Sequence, residues 1–274
     1  MTQAISRNTD ALGICDPVWS RITLEAQEVV TREPDLSSFV FTTVLNHNNL
    51  GDAISLRLAQ LLGTADVGPL QLRTIFSEAL ADDPEICAAI RADIVAIQDR
   101  DPACDRYLEP VLYFKGFHAV QTYRITNWLW RQGRKDFATY IQSRASAGFG
   151  VDIHPGARVG RGIMIDHATG VVIGETAVVE DDVSILHGVT LGGTGKEGGD
   201  RHPKVRRGVL LGAGAIILGN IEVGACAKVA SGSVVLHDVP PNRTVAGVPA
   251  KVVGYSGCDE PARQMDHMIE DTTN

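Results

Sequence analysis

Counted in sixes from Ile153, the chain places Val159, Ile165, Val171, Ala177, Val183 and Val189 in one series. After a charged, glycine-rich break the series resumes at Leu211, Ile217, Val223, Val229 and Val235. All but Ala177 are Ile, Val or Leu. An amphipathic helix repeats every 3.6 residues and a strand every two, so neither accounts for a sustained period of six. Such a period marks a hexapeptide β-helix, in which each short strand turns one aliphatic side chain inward and stacked coils bury a column that no coil buries alone. A coincidental run in a glycine-rich β protein would have to hold register through the whole series. Gly160, Gly174, Gly212 and Gly224 suit the tight corners, where a positive φ is expected.

Ahead of this region the apolar residues fall at helical spacing: Trp19, Ile22, Leu24, Ala26 and Val29; Ile54, Leu56, Leu58 and Leu61; Ile75, Ala79 and Leu80; Ile86, Ala89, Ile90, Ile94 and Ile97. Gly51-Asp52 opens the second of these segments, and Pro84 sits at the first turn of the fourth, where its missing N–H costs nothing. A loop is expected over 99–110, then helices over 117–131 and 134–146. The fold class is therefore α+β: an α-helical domain over 1–148, a left-handed parallel β-helix of hexapeptide repeats over 149–256 interrupted by a loop at 192–208, and a flexible acidic tail over 257–274. That tail carries five acidic residues and one arginine.

Composition narrows the function. A net charge of −8 disfavours a general nucleic-acid binder, although a local basic patch acts within a Debye length of about 8–10 Å. No apolar run is long enough to span a bilayer. Residues 1–10 lack the basic start and apolar core of a signal peptide. Five scattered cysteines (Cys15, Cys87, Cys104, Cys226, Cys258) form no C-x-x-C pair, against a disulfide framework and for a reducing, cytoplasmic setting.

Between Leu191 and Val209 the sequence GGTGKEGGDRHPKVRRG leaves the column as a loop. From Lys196 to Arg207 it has five Lys/Arg against two acids on a protein that is acidic overall. Four histidines lie in or near it: His154, His167, His187 and His202. Asp152 precedes His167 by nearly one coil of a three-sided, six-residue solenoid, so contact between neighbouring coils is expected. An Asp that accepts from one imidazole nitrogen leaves the other free as a base; the same pair also reads as a structural salt bridge. His154 reads as structural and His187 as a surface residue at a corner. Gly192-Gly193-Thr194-Gly195-Lys196 echoes a phosphate loop, but Thr190 and Glu197 break the pattern. Gly212-Ala213-Gly214 lacks the third glycine of a dinucleotide fingerprint and has no βαβ unit around it.

The stretches DHATG, GGTGK and GGDRHPK occur in this order, behind the helical segment DRDPACDRYLEPVLYFKGFHAVQTYRITNWLW. Together they resemble the serine acetyltransferases over roughly 17–253. The resemblance implies acetyl transfer from acetyl-CoA to the hydroxyl of L-serine, with no metal. It implies His167 as catalytic base and Asp152 as its orienting carboxylate, and Asp101, Asp166, Arg201 and His202 as the residues that hold the amino acid. The residue types fit: imidazole titrates near neutrality, arginine grips a carboxylate with paired hydrogen bonds, and acids suit an ammonium. Gly193, Ala213 and Lys228 are the candidate acetyl-CoA contacts. As structural residues they read as a turn, a small coil position and a surface lysine. The resemblance further implies inhibition by L-cysteine at the serine site, and a homo-oligomer of trimers, two of which join into a hexamer. Relatives dock a terminal isoleucine into cysteine synthase. This chain ends Glu270-Asp271-Thr272-Thr273-Asn274 with Ile269 internal, which sets that complex in doubt. Three other readings stay open: a homoserine or other hydroxyl acceptor, a metal-dependent hydratase of the carbonic anhydrase type, and a non-catalytic scaffold.

Overall fold

A computed structural model describes residues 16–195 and 198–269. The readings that rest on residues 1–10, Cys15, Lys196, Glu197 and 270–274 lie outside them. The first half is helical: α1 (Pro17–Arg32), a 3-10 turn (Pro34–Leu36), α2 (Ser37–Val40) running into a π-helical turn (Phe41–Leu45), α3 (Leu50–Leu62), α4 (Pro69–Asp82), α5 (Pro84–Arg100), α6 (Leu108–Tyr113), α7 (Lys115–Arg131) and α8 (Lys135–Phe149). The starts are written in the sequence. Asp16 accepts from the N–H groups of Val18 and Trp19 with Pro17 at the first position, Asn49 caps α3 and Asp83 caps α5. Helix α6 and the turns over 34–45 escaped the periodicity because elements of three to six residues are too short to show one.

The second half winds three strands per coil. The coils comprise β1 (Val151–Ile153), β2 (Arg158–Val159) and β3 (Met164–Asp166); β4 (Val171–Ile173), β5 (Val178–Val179) and β6 (Ser184–Leu186); β7 (Thr190–Gly192), β8 (Lys204–Val205) and β9 (Leu210–Leu211); β10 (Ile216–Leu218), β11 (Glu222–Val223) and β12 (Lys228–Val229); then β13 (Val234–Val235) and β14 (Arg243–Gly247), closed by β15 (Ala250–Tyr255). They stack as three sheets. The first is β1-β4-β7-β10-β13, the second β2-β5-β8-β11, and the third β3-β6-β9-β12-β14, with β15 antiparallel to β14.

The column differs from its sequence reading in two ways. Val151 pairs with Val171, whereas Val172 pairs with Thr190, so the first circuit is two residues longer than the next. The inward strand positions are Ile153, Val159 and Ile165, then Ile173, Val179, Ile185 and Leu191. Val171, Ala177, Val183 and Val189 are also buried, in a second inward series two residues earlier that includes Ala157 and Ile163. Each side thus turns two side chains inward, and counting in sixes crosses from one series to the other at the two extra residues. Second, the loop is shorter than expected: Lys204–Val205 pairs with β5 and β11, and Val205 rejoins the column fully buried.

Both open ends of the column are covered, as unpaired strand edges require. At the first coil, Tyr123 on α7 donates to the Ala157 carbonyl (2.6 Å) and accepts from the Val159 N–H (3.2 Å), and Asn127 donates to the Pro155 carbonyl (2.8 Å). At the last coil the β14–β15 hairpin closes the barrel. The tail is tied to the rest of the chain as far as the Met268 carbonyl rather than free. Its short α9 (Pro261–Gln264) buries Ala262, Ser184 donates to the Ala262 carbonyl (2.7 Å), and Arg263 pairs with Asp99 (2.8 Å). Local ion pairs and hydrogen bonds outweigh its acidic composition.

Candidate active site

The two extra residues of the first circuit are the site's most distinctive feature. Between β3 and β4 the chain turns through His167 (φ 54°) and Ala168 (φ 60°), both left-handed. The turn ends on Gly170 (φ 80°), which stacks on Gly188 as the left-handed glycine of this corner, with Gly214 and Gly232 continuing the stack, so His167 and Ala168 enter the left-handed region in addition to it. A non-glycine residue there costs on the order of 1–2 kcal/mol, so two in succession must be held from outside. Ala168 is fully buried, its N–H 2.6 Å from the Asp166 carbonyl. Helix α7 abuts the turn. Buried Gly116 lies so close that a Cβ there would fall 2.1 Å from the Ile165 carbonyl oxygen, and Lys115 donates to the Thr169 hydroxyl. The result presents the His167 imidazole, 76% exposed, at the mouth of a cavity of about 470 Å³ whose lining includes Asp101, Lys115, Gly116 and Asp166. Asp101 arrives at the C-terminal end of α5. His167 Nε2 stands 3.7 Å from Asp166 Oδ2, too far for a hydrogen bond, and its ring meets that of His187 edge-on at 5.9 Å.

A second cluster occupies the other edge of the first sheet, in the turns that follow β1, β4 and β7. Arg201 pairs with Glu175 at 2.6 Å, and that hydrogen bond holds the Glu175 carboxyl below the usual carboxylate range. His202 is buried, 7% exposed. Its Nδ1 accepts from the Thr176 N–H (3.2 Å) and lies 2.8 Å from the Thr176 hydroxyl, so in the neutral ring the proton sits on Nε2. Burial pushes this imidazole below its ordinary range, with Arg201 adding to the effect and Glu175 opposing it. The ring fits because position 174 is glycine: a Cβ there would lie 2.1 Å from the ring.

The structure therefore brings Asp101, Asp166 and His167 together, and Arg201 with His202, but separates the two groups by the width of the first sheet. Three residues of strand and the flanking turns span on the order of 15 Å. Asp152 does not meet His167 within the chain. It alternates with the buried Val151 and Ile153, faces outward from the first sheet, and accepts from Gln142 (2.6 Å). The expected contact between coils fails because the two residues stand on different faces. Gly193 lies beside Arg201, and Ala213 lies on the His167 corner, two coils along. Lys228 is neither a surface lysine nor free for a ligand: it is 4% exposed and donates to the carbonyls of Asp266 (3.1 Å) and Met268 (2.8 Å). The corner glycines expected to need a positive φ do not have one. Gly160, Gly174, Gly212 and Gly224 are instead pressed against the next coil or loop.

Lys115 and Gly116 went unread in the sequence. Their signal was the KGF triplet opening a helix, which means nothing until its contact with Ile165 is known. His154 Nδ1 accepts from the Gly156 N–H (3.0 Å). His118 belongs to the core, where burial pushes it down to about 4. A larger cleft, about 810 Å³, lies between α7 and the second sheet, lined by Arg131, Arg158 and Arg207 together with Glu180, Asp181 and Asp182, and by no histidine. Among the described residues no cluster of three His, Cys, Asp or Glu is placed to hold a metal ion, and no helix is long and apolar enough to cross a membrane.

Residues 18–122 match the family model for the N-terminal region of serine acetyltransferase. The serine acetyltransferase of Salmonella typhimurium is 56% identical over 249 residues, covering 91% of each chain. A solved serine acetyltransferase from Brucella abortus in complex with coenzyme A is 58% identical with a TM-score of 0.87, covering 89% of this chain and 97% of that one. A serine acetyltransferase in complex with cysteine is 54% identical with a TM-score of 0.91, covering 92% and 98%.

Proposed function

The chain belongs to the serine acetyltransferase family, and from that premise we propose how its two corners share the reaction. It transfers the acetyl group of acetyl-CoA to the hydroxyl of L-serine, giving O-acetyl-L-serine and CoA. Asp101 and Asp166 take the ammonium of serine. Arg201 and the Nε2–H of His202 take its carboxylate, a paired and charge-assisted grip. His167 removes the hydroxyl proton as the oxygen attacks the acetyl carbonyl. The tetrahedral intermediate collapses to the ester, and the departing CoA thiolate takes the proton back from the imidazolium. Thiol release is thus stoichiometric with ester formation.

One observation carries this reading: the groups that would hold the two ends of serine lie on opposite edges of the first sheet. A cyclic trimer places one edge of each protomer against the other edge of its neighbour, completing three sites. In it, His167, Asp101 and Asp166 come from one protomer, and Arg201, His202 and Asp152 from the next. Asp152 then orients His167 across the interface, where its outward-facing carboxylate points. The outer face of the first sheet supports this arrangement, with Val172 39% exposed and Ile216 and Val234 part-buried at adjoining positions. The pantetheine arm of acetyl-CoA follows the His167 corner past His187 and Ala213, about 10 Å along the axis at the spacing of neighbouring strands, with Gly193 on the facing edge. Lys228 is omitted from the cofactor set because its ammonium is already bound. Two trimers joined through the helical region give the hexamer, in the cytoplasm. L-Cysteine, one atom different from serine, occupies the same pocket and inhibits.

The shared site is tested by complementation. His167→Ala and Arg201→Ala protomers, each inactive alone, are unfolded together, refolded as a mixture and assayed. Random trimers place both intact halves at about a quarter of the interfaces, so about a quarter of parental activity is expected. A mixture as inactive as its components would overturn the shared site.

A further inference from the structure

Helix α5 grips a single peptide unit by both of its polar ends. Arg100 Nη1 donates to the Gly162 carbonyl at 3.0 Å, and the Ile163 N–H donates to Asp93 Oδ1 at 2.8 Å. Asp93 and Arg100 are seven residues apart, two helical turns, and so share one face. Both are buried, at 0% and 8% exposure. The grip is itself braced. Arg124 (2.6 Å) and Gln121 (2.9 Å), both on α7, bind the other oxygen of Asp93, and Arg100 reaches Ser184 on the coil below at 3.1 Å. The peptide so held immediately precedes β3, whose far end carries Asp166 and then His167. The residue after Arg100 is Asp101, in the same cavity.

We propose that α5 is a spacer that selects acceptor length, with Asp93 and Arg100 as positioning residues that fix the distance between Asp101 and the Asp166–His167 strand end. This rests on the roles given above to Asp101 and His167. With the ammonium held between Asp101 and Asp166, the base meets a hydroxyl one carbon beyond Cα. Homoserine, one methylene longer, carries its hydroxyl past the base. A misplacement of about 1 Å at a reacting centre can cost on the order of a hundredfold in rate, so a fixed spacing discriminates between the two and a loosened one does not.

The test measures kcat/KM for serine and for homoserine by thiol release in the full-length protein, its Arg100→Lys and Asp93→Asn variants, and Asp182→Asn. Lysine keeps the charge of Arg100 but is shorter and lacks the planar fork, so it cannot reach Gly162 and Ser184 through one nitrogen while holding Asp182 through another. The serine-to-homoserine ratio is expected to fall roughly fivefold or more in Arg100→Lys and Asp93→Asn, while KM for acetyl-CoA stays within about twofold. Asp182, 3.3 Å from Arg100 Nη2 with a half-exposed side chain, steadies the guanidinium from the surface; its variant keeps the fold and is expected to lower the ratio about twofold. An unchanged ratio in Arg100→Lys overturns the proposal, as does an equal loss for both acceptors. Should both buried variants fail to fold, an unchanged ratio in Asp182→Asn overturns it instead. A parent protein without serine turnover removes the underlying assignment as well, and shows before any variant is compared.

Discussion

The two edges of the first sheet solve opposite problems. At the His167 edge the backbone is strained and the imidazole is open: two left-handed non-glycine residues support a ring 76% exposed, with no hydrogen bond to a neighbouring carboxylate. At the Arg201–His202 edge the backbone is ordinary and the side chains are locked, Arg201 on Glu175 and His202 on Thr176. A base that must approach and leave a proton needs freedom at its ring and rigidity beneath it. Groups that only grip a carboxylate do better when their own orientation is fixed in advance.

The sharpest way to break this contrast is to remove the ring at the open edge. His167→Ala leaves the turn intact, since alanine already occupies the equally left-handed position 168. Turnover is expected to fall roughly 10²–10⁴-fold, the range of general-base catalysis, with an unchanged thermal midpoint. A variant within tenfold of the parent in kcat would remove His167 from the chemistry and leave the strained turn without a purpose.

At the locked edge a backbone change should act through the side chain. In Gly174→Ala the new methyl would lie 2.1 Å from the His202 ring, so the ring must leave its place on Thr176. Loss of one oriented donor to the carboxylate is expected to lower kcat/KM for serine roughly 10–100-fold, about 1.4–2.8 kcal/mol, while KM for acetyl-CoA stays put. Equal losses for both substrates would mean that the whole corner had moved, and that the two edges are less independent than their geometry suggests.

What the sequence revealed follows the same division. The period of six disclosed the solenoid because each coil repeats the same burial, and the charged loop stood out because it cannot repeat it. The count lost its register at His167 and Ala168, where two residues are inserted and both series beyond are aliphatic, so hydrophobicity alone could not report the slip. The slip falls where the proposed base stands. Asp152 was paired with His167 by distance along the chain, but distance along a coil does not say which face a residue occupies. Lys228 was read as exposed because nothing in its own strand shows that the tail returns across it. The grip of Asp93 and Arg100 on Gly162–Ile163 joins residues 70 and 62 apart in sequence, separations at which a single sequence carries no pattern.

The smallest effect separates the two edges by acid. The His202 imidazole has its folded pKa pushed below the ordinary value by burial, and its Nδ1 must stay unprotonated to accept from Thr176. The unfolded chain therefore binds a proton more readily than the folded one as pH falls below about 6.5. His202's contribution to stability is complete above that pH and is lost progressively beneath it. Asparagine at the same position does not titrate, so the gap in thermal midpoint between the parent and His202→Asn should narrow from pH 7.5 to pH 5.5. A gap of about 2–4 °C at the higher pH would correspond to roughly 1 kcal/mol in a chain of this size. A gap at His202 that holds constant would mean that burial does not set its proton affinity; one that widens toward acid would mean that the ring is held protonated, and the locked edge would then present a second cation to the carboxylate in place of a neutral donor.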